Sequence, residues 1–173
     1  VAMVFGCTQY WHSWTGNLED VRRDFVREPC VRLNTIYKPP DLLVLSLLGK
    51  AAAPPPSDLL LRREIILGLG GFEEAFSGSY GMYEDQAFLA KVYLNTTVFA
   101  AKECWDRYRL HPNSFCAVQT RAGREPSIRL FYLKWLSRYL VQQHVTDHRI
   151  WRRVRRMLWP YRHPLLARLL RPG

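Results

Sequence analysis

The hydrophobic pattern at the start of the chain predicts one buried strand followed by a long irregular stretch. Val1 to Phe5 is a continuous apolar run, which is typical of a strand covered on both faces. The residues that follow carry aromatic side chains and prolines with little periodicity, up to the run of alanines and prolines at 51–56. Such stretches are usually binding loops or packed covers. Periodicity returns at 59–67, where we expect a helix that Ser57 or Asp58 caps.

The middle of the chain shows one helical pattern and two strand patterns. A turn with an apolar anchor is expected at 72–76, and the apolar spacing over 85–94 predicts a helix. Strand-like stretches follow at 98–101 and 104–110. We therefore expect a turn, a helix and then two strands in this region.

The C-terminal part is predicted to be helical. An amphipathic pattern begins at Ser127 and continues to about His144. Two further helical pieces follow, with Pro160 and Pro164 as breakers. The buried side of the long helix is expected to consist of Ile128, Phe131, Leu136, Tyr139 and Leu140.

Composition indicates a folded chain without a membrane-spanning segment. Of its 173 residues, 48% are hydrophobic and 13% are aromatic, and this content argues against disorder. No apolar run approaches the roughly 20 residues that cross a bilayer. The N-terminal sequence has neither an initiator Met nor the basic region of a signal peptide, so we expect the natural start to lie upstream of Val1.

The four cysteines are scattered and form no Cys-x-x-Cys pair. This spacing favours free thiols in a reducing, cytoplasmic environment over a disulfide framework. A zinc site formed by three residues of the second half is an alternative, although its spacing matches no zinc signature. The cysteines are Cys7, Cys30, Cys104 and Cys116, and the zinc set would be Cys104, His111 and Cys116.

Positive charge is concentrated towards the C-terminus. The net charge is +10, and no acidic residue follows Asp147. The asymmetry indicates an anionic partner, which could be a membrane surface, a nucleic acid or a phosphate-bearing substrate. Apolar residues alternate with the arginines, as in a helix lying on an anionic bilayer or in a cover helix with a solvated arginine face. The arginines are Arg149, Arg152, Arg153, Arg155, Arg156, Arg162, Arg168 and Arg171, and the apolar residues are Trp151, Leu158, Trp159, Leu165, Leu166, Leu169 and Leu170.

Glu84 and Asp85 stand at the head of the predicted helix 85–94. Helical spacing places Asp85 on one stripe with Phe88, Leu89 and Val92. Its carboxylate therefore begins the inward face, where the helix dipole favours an anion. One positioned carboxylate suffices to take the proton from a sugar hydroxyl. The alternative is that the two acids only cap the helix.

Two further motifs lie on either side of this helix. Gly70 and Gly71 can end a helix, and they also allow a ligand to approach the backbone closely. After the helix, strand alternation places two guanidinium groups and an imidazole on one face. Such a face suits a diphosphate, or it is simply a solvated strand edge. Its residues are Trp105, Arg107, Arg109 and His111.

The GGFEEAF segment at 70–76, the YEDQAF segment at 83–88 and the RYRLHP segment at 107–112 together resemble family 2 glycosyltransferases of the GT-A fold. The resemblance implies an α/β fold, of which about residues 1–120 form the acceptor-side half, with a helical extension at 121–173. It implies an inverting transfer with Asp85 as general base and Glu84 as its neighbour. It further implies that Gly70, Gly71 and Phe72 line the substrate pocket, that Trp105, Arg107 and Arg109 contact substrate, and that His111 is a donor-side group that contributes to metal binding.

The chain departs from this family in its first half. It contains no Asp-x-Asp motif and no early βαβ pattern. The Mg²⁺ or Mn²⁺ ion implied by the resemblance would then take its main ligands from a missing N-terminal half, and this fragment alone is expected to be inactive. The expected partners are a nucleotide-sugar donor and a glycan or lipid-linked acceptor, with peripheral membrane contact and no specific nucleic acid. The alternative is a non-enzymatic basic module that binds nucleic acid or an anionic membrane.

Overall fold

The computed structural model describes residues 1–169 and has an α/β fold with a mixed sheet. Two long strands, β1 (Met3–Trp11) and β5 (Val98–Arg109), lie parallel at its centre. The short strand β2 (Phe25–Arg27) pairs antiparallel with β1, and β3 (Thr35–Tyr37) pairs antiparallel with β5. The resulting order is β2-β1-β5-β3, and β4 (Leu60–Leu61) pairs with the start of β1.

Helices pack around this sheet and continue to the C-terminal end of the described chain. Single 3₁₀ turns occur at Ser13–Thr15, Pro56–Asp58 and Glu74–Phe76, and a longer one runs from Gly78 to Tyr83. The helices are α1 (Leu18–Val21), α2 (Asp41–Leu47), α3 (Arg63–Gly68), α4 (Glu84–Asn95), α5 (Phe115–Arg121), α6 (Glu125–Gln142), α7 (His148–Arg162) and α8 (Pro164–Leu169).

The central helix of the core is α4. Its residues from Ala87 to Tyr93 are all buried. They share one hydrophobic cluster with Leu42 of α2, Leu136 of α6 and Val154 of α7. Burial of such large apolar side chains is the main stabilising term in folding. Helices α6 and α7 of the extension therefore belong to the same core as α2 and α4.

The pairing of β1 with β5 is irregular around Gly6. Phe5 is opposite Ala100, whereas Cys7 is opposite Cys104, so β5 bulges between these pairs. A Cβ atom at Gly6 would overlap the backbone oxygen of Glu103. The bulge therefore requires a residue without a side chain at this point.

The helix predicted over 59–67 is wrong in its first half. Leu60 and Leu61 form β4 and pair with Val4 and Met3, and the helix α3 begins only at Arg63. Hydrogen bonding to β1 outweighs the local helical pattern here. Asp58 caps no helix, because its carboxylate is buried and accepts the backbone N–H of Gly6.

Other boundaries also differ from the predictions. The first strand extends beyond Phe5 to Trp11, and the stretch predicted as irregular contains α2 together with β2 and β3. The two strand segments at 98–101 and 104–110 are one strand, β5, which runs through the bulge. On α6, Phe131 and Tyr139 are only partly buried.

The C-terminal helices were predicted in outline. Pro160 does not break α7, which continues to Arg162, because the preceding turns are fixed in the core through buried residues such as Leu158. Pro164 does separate α7 from α8. Leu170 and Arg171 lie outside the described residues. Within residues 1–169, the structure contains no helix with the length and apolarity needed to cross a membrane.

Candidate functional site

Asp85 lies in the first turn of α4 at the wall of a cavity of about 410 Å³, which we call the Asp85 pocket. Four parts of the chain meet there: the 3₁₀ turn that begins at Pro56, the segment that leads into α4, the end of β5, and the start of α5. The walls combine aromatic and small residues with the two carboxylates. The lining residues are Pro56, Phe76, Ser77, Gly78, Gly81, Met82, Glu84, Asp85, Tyr108, Phe115 and Cys116.

Helix packing directs Asp85 towards this cavity. Phe88, Leu89 and Val92, which share its stripe, are buried, as the sequence pattern predicts. Asp85 itself is partly buried, and its Oδ1 atom accepts a hydrogen bond from the backbone N–H of Gln86 at 2.6 Å. Its carboxylate therefore lies at the positive end of the helix dipole.

Burial raises the pKa of Asp85 to about 6, because water is excluded from the charged form. The neighbouring Glu84 raises the pKa further, while the hydrogen bond from Gln86 opposes the shift. Glu84 is exposed. At neutral pH Asp85 is thus an anion that binds a proton more strongly than an ordinary aspartate does.

Two other titratable side chains of the pocket are shifted towards their neutral forms. Burial raises the pKa of the Tyr108 phenol and that of the Cys116 thiol, and the Asp85 carboxylate adds to both shifts. The hydroxyl and the thiol are therefore uncharged hydrogen-bonding groups at neutral pH. The sequence patterns did not place Tyr108 or Cys116 in the site, and Cys116 was considered only as a zinc ligand.

The glycine motif lies away from the Asp85 pocket. Gly70 and Gly71 have φ values of +70° and +60°, in the left-handed region that favours glycine. Phe72 stacks on Phe88 of α4, with ring centroids 4.6 Å apart. None of these three residues lines the pocket, so their role in substrate binding stays a prediction.

A buried lysine fixes the glycine motif to α4. The Nζ atom of Lys91 donates hydrogen bonds to the backbone oxygens of Leu69 at 3.1 Å and Gly71 at 3.0 Å. It also forms an ion pair with Glu73, whose other carboxylate oxygen accepts the indole N–H of Trp135 at 3.3 Å. We call Lys91, Glu73 and the two carbonyls the Lys91 clip.

The arginines of β5 lie beside two tryptophans, Trp11 at the end of β1 and Trp14 in the 3₁₀ turn that follows it. The Arg107 guanidinium lies 5.6 Å from the ring centroid of Trp11, and that of Arg109 lies 5.0 Å from the ring of Trp14. His111 packs edge-on against Trp14. The structure thus brings Arg109 and His111 to one tryptophan and Arg107 to another. It places none of the three in the lining of the Asp85 pocket.

Trp105 is half-exposed and contacts a buried acidic cluster, Asp58 and Asp106, instead. Its indole N–H donates to the backbone oxygen of Asp58 at 3.1 Å. Both carboxylate oxygens of Asp58 accept the N–H of Gly6, at 3.1 and 3.0 Å. Burial raises the pKa of Asp58 to about 6, and the nearby Asp106 raises it further. Sequence analysis missed this cluster, which depends on the bulge in β5.

Residues 1–169 do not assemble a metal centre. No group of three or more His, Cys, Asp or Glu side chains in this part of the chain is placed to hold an ion. The proposed zinc set of Cys104, His111 and Cys116 is therefore not assembled. All four cysteines are free thiols.

Comparison with known proteins identifies no relative, since no family model, no curated protein and no solved structure matches this chain.

Proposed function

We propose that this chain provides the acceptor side of an inverting, family 2-type glycosyltransferase, with Asp85 as the general base. The observation that carries the proposal is the position of Asp85. It is a partly buried carboxylate with a pKa of about 6, at the head of a core helix and at the wall of a cavity. Groups with this environment are typical of acid–base catalysis.

The pocket supports a direct displacement. An acceptor hydroxyl donates its hydrogen bond to the Asp85 carboxylate, and the proton passes to Asp85 as the oxygen attacks the anomeric carbon of the donor sugar. The new carbon–oxygen bond forms while the bond to the diphosphate breaks, and the diphosphate leaves with the electron pair. The negative charge of Glu84 raises the pKa of Asp85, which makes the Asp85 carboxylate a stronger base.

The other pocket walls suit a sugar ring. Phe76 and Phe115 offer apolar surfaces, and Tyr108 offers a hydroxyl group on the opposite wall. Gly78 and Gly81 keep the preceding turn free of bulky side chains. A hydroxyl-bearing carbohydrate is therefore the class of acceptor that fits best.

A divalent cation, when bound, would neutralise the leaving diphosphate. The described residues offer Glu84 and Asp85 as adjacent carboxylates but no third ligand beside them, and His111 lies against Trp14 instead. We therefore assign metal binding and nucleotide binding to residues outside this chain. No step of the reaction is assigned to a metal ion that this chain holds.

Sugar transfer by the protein that carries this chain tests the proposal, with uridine, guanosine and thymidine diphosphate sugars as donors. Asp85→Asn should lower the transfer rate by about a hundredfold or more. Glu84→Gln should retain activity and move the lower limb of the pH profile to more acidic pH. The exposed Glu74→Gln is the matched control for loss of one carboxylate. Wild-type transfer by Asp85→Asn would refute the assignment, and it would favour the alternative of a non-enzymatic basic module.

A further inference from the structure

The excess positive charge of the protein lies entirely in its helical extension. Residues 1–120 contain twelve basic and thirteen acidic side chains, whereas residues 121–173 contain thirteen basic and two acidic ones. Helix α7 buries Ile150, Val154 and Leu158 in the core and presents most of its arginines to solvent. The extension is therefore attached to a nearly neutral body and carries a strongly cationic surface.

A wide groove lies on this cationic surface. It has a volume of about 810 Å³ and is formed by residues of α6, α7 and α8. Four arginines line it, with a single acidic side chain, Glu125. We call it the arginine groove, and its arginines are Arg129, Arg153, Arg156 and Arg168.

The groove arginines are available for an external anion. In the described part of the chain, none of the four has a carboxylate within ion-pair distance, and Arg149 is the arginine of α7 that has one. Arg153 is fixed in place, because its Nε atom donates to the backbone oxygen of Leu47 at 2.6 Å. Several unpaired guanidinium groups around one concave surface are suited to phosphate oxygens.

Exposed apolar side chains lie at the same end of the extension. Leu165, Leu166 and Leu169 of α8 are 74%, 52% and 81% exposed, and Trp159 of α7 is 37% exposed. A soluble phosphate or a nucleic acid gains little from three exposed leucines. A bilayer surface accommodates both features, because phosphates meet the arginines while leucines enter the boundary with the acyl chains.

We infer that α7 and α8 dock on an anionic lipid bilayer, with lipid phosphates in the arginine groove and the leucines of α8 in the interface. Each basic side chain near such a surface contributes about fivefold to binding, and each exposed leucine that becomes buried contributes about tenfold. Charge and apolar area should therefore both contribute to affinity, and neither should suffice alone.

Vesicle flotation tests this inference, with phosphatidylcholine vesicles that contain or lack phosphatidylglycerol. The protein should bind only the anionic vesicles and should dissociate as salt is raised. The triple variant Arg129→Gln, Arg156→Gln, Arg168→Gln should bind on the order of a hundredfold more weakly. The matched control is a triple variant that loses the same charge at exposed arginines outside the groove, Arg22→Gln, Arg32→Gln and Arg63→Gln. This control should bind the vesicles within about twofold of the wild type.

A second variant pair separates a bilayer from other anions. Leu165→Ser with Leu169→Ser removes apolar area without removing charge, and Leu18→Ser with Leu60→Ser is the control at two other exposed leucines. The first pair should weaken vesicle binding by about tenfold or more, with unchanged circular dichroism. If this pair binds vesicles as tightly as the wild type, or if duplex DNA binds more tightly than the anionic vesicles, bilayer docking is refuted.

Discussion

The Lys91 clip should be a major contributor to stability, and removing its ammonium group tests this. The side chain of Lys91 is only 4% exposed, and that of Glu73 is 30% exposed. Lys91→Met keeps most of the volume of the side chain but removes the charge and the donors. Glu73 then loses its ion-pair partner, and the backbone oxygens of Leu69 and Gly71 lose their donor.

The size of the loss follows from the exposure of these groups. Removing one partner of a fully buried ion pair costs about 3–5 kcal/mol, because the remaining charge is left uncompensated. Glu73 and Gly71 are only partly buried, so water can replace some of the lost contacts. We therefore expect Lys91→Met to lower the free energy of unfolding by about 2–3 kcal/mol.

Urea unfolding at neutral pH measures this loss, with Lys102→Met as the matched control at an exposed lysine. Glu73→Gln and the double variant complete a thermodynamic cycle, and the two single changes should be coupled by about 1 kcal/mol or more. If Lys91→Met stays within about 0.5 kcal/mol of the wild type, or if the cycle shows no coupling, the clip contributes no such stability.

Two further changes test the site and the sheet. The pKa of Asp85 is about 6 in the folded protein against 3.8 ordinarily, so the protonated form favours folding. The titration of Asp85 should therefore lower stability by about 3 kcal/mol as pH rises from about 4 through 6. Thermal unfolding of Asp85→Asn against pH should lack this part of the fall and keep the part that comes from Asp58, whose pKa is raised over the same range. Gly6→Ala should cost about 2 kcal/mol or more, because its Cβ atom would overlap the Glu103 oxygen. Gly68→Ala, which meets open space in α3, should be neutral or slightly stabilising, and equal unfolding midpoints for the two glycine variants would argue against the bulge.

Those parts of the fold that depend on local pattern could be predicted from the sequence. Helix α4 and the alternation along β5 follow from strong periodicity, and the structure contains both. The 59–67 segment could not be assigned in the same way, because the pairing of Leu60 with Val4 joins residues far apart in sequence. The same holds for the bulge at Gly6, since nothing local predicts the approach of Glu103.

The candidate site could be predicted only around Asp85. Its place at the head of an inward stripe follows from spacing within one helix. The opposite wall comes from Tyr108 at the end of β5 and from Phe115 and Cys116 of α5. These residues meet Asp85 only because the strand and both helices fold together, and no spacing within the sequence specifies that meeting.

The geometry of α4 also gives a physical reason for the distance between the glycine motif and Asp85. Lys91 follows Asp85 by six residues, which places the Lys91 clip about 9 Å further along the helix. The chain that leaves Gly71 must therefore return over that distance before α4 begins. In doing so it supplies Gly78, Gly81 and Met82 to the wall of the Asp85 pocket. The glycine motif can thus shape the pocket without lining it. The Lys91 clip fixes one end of the connecting segment, and the start of α4 at Asp85 fixes the other end. The length of the segment between these two points determines where the pocket wall lies.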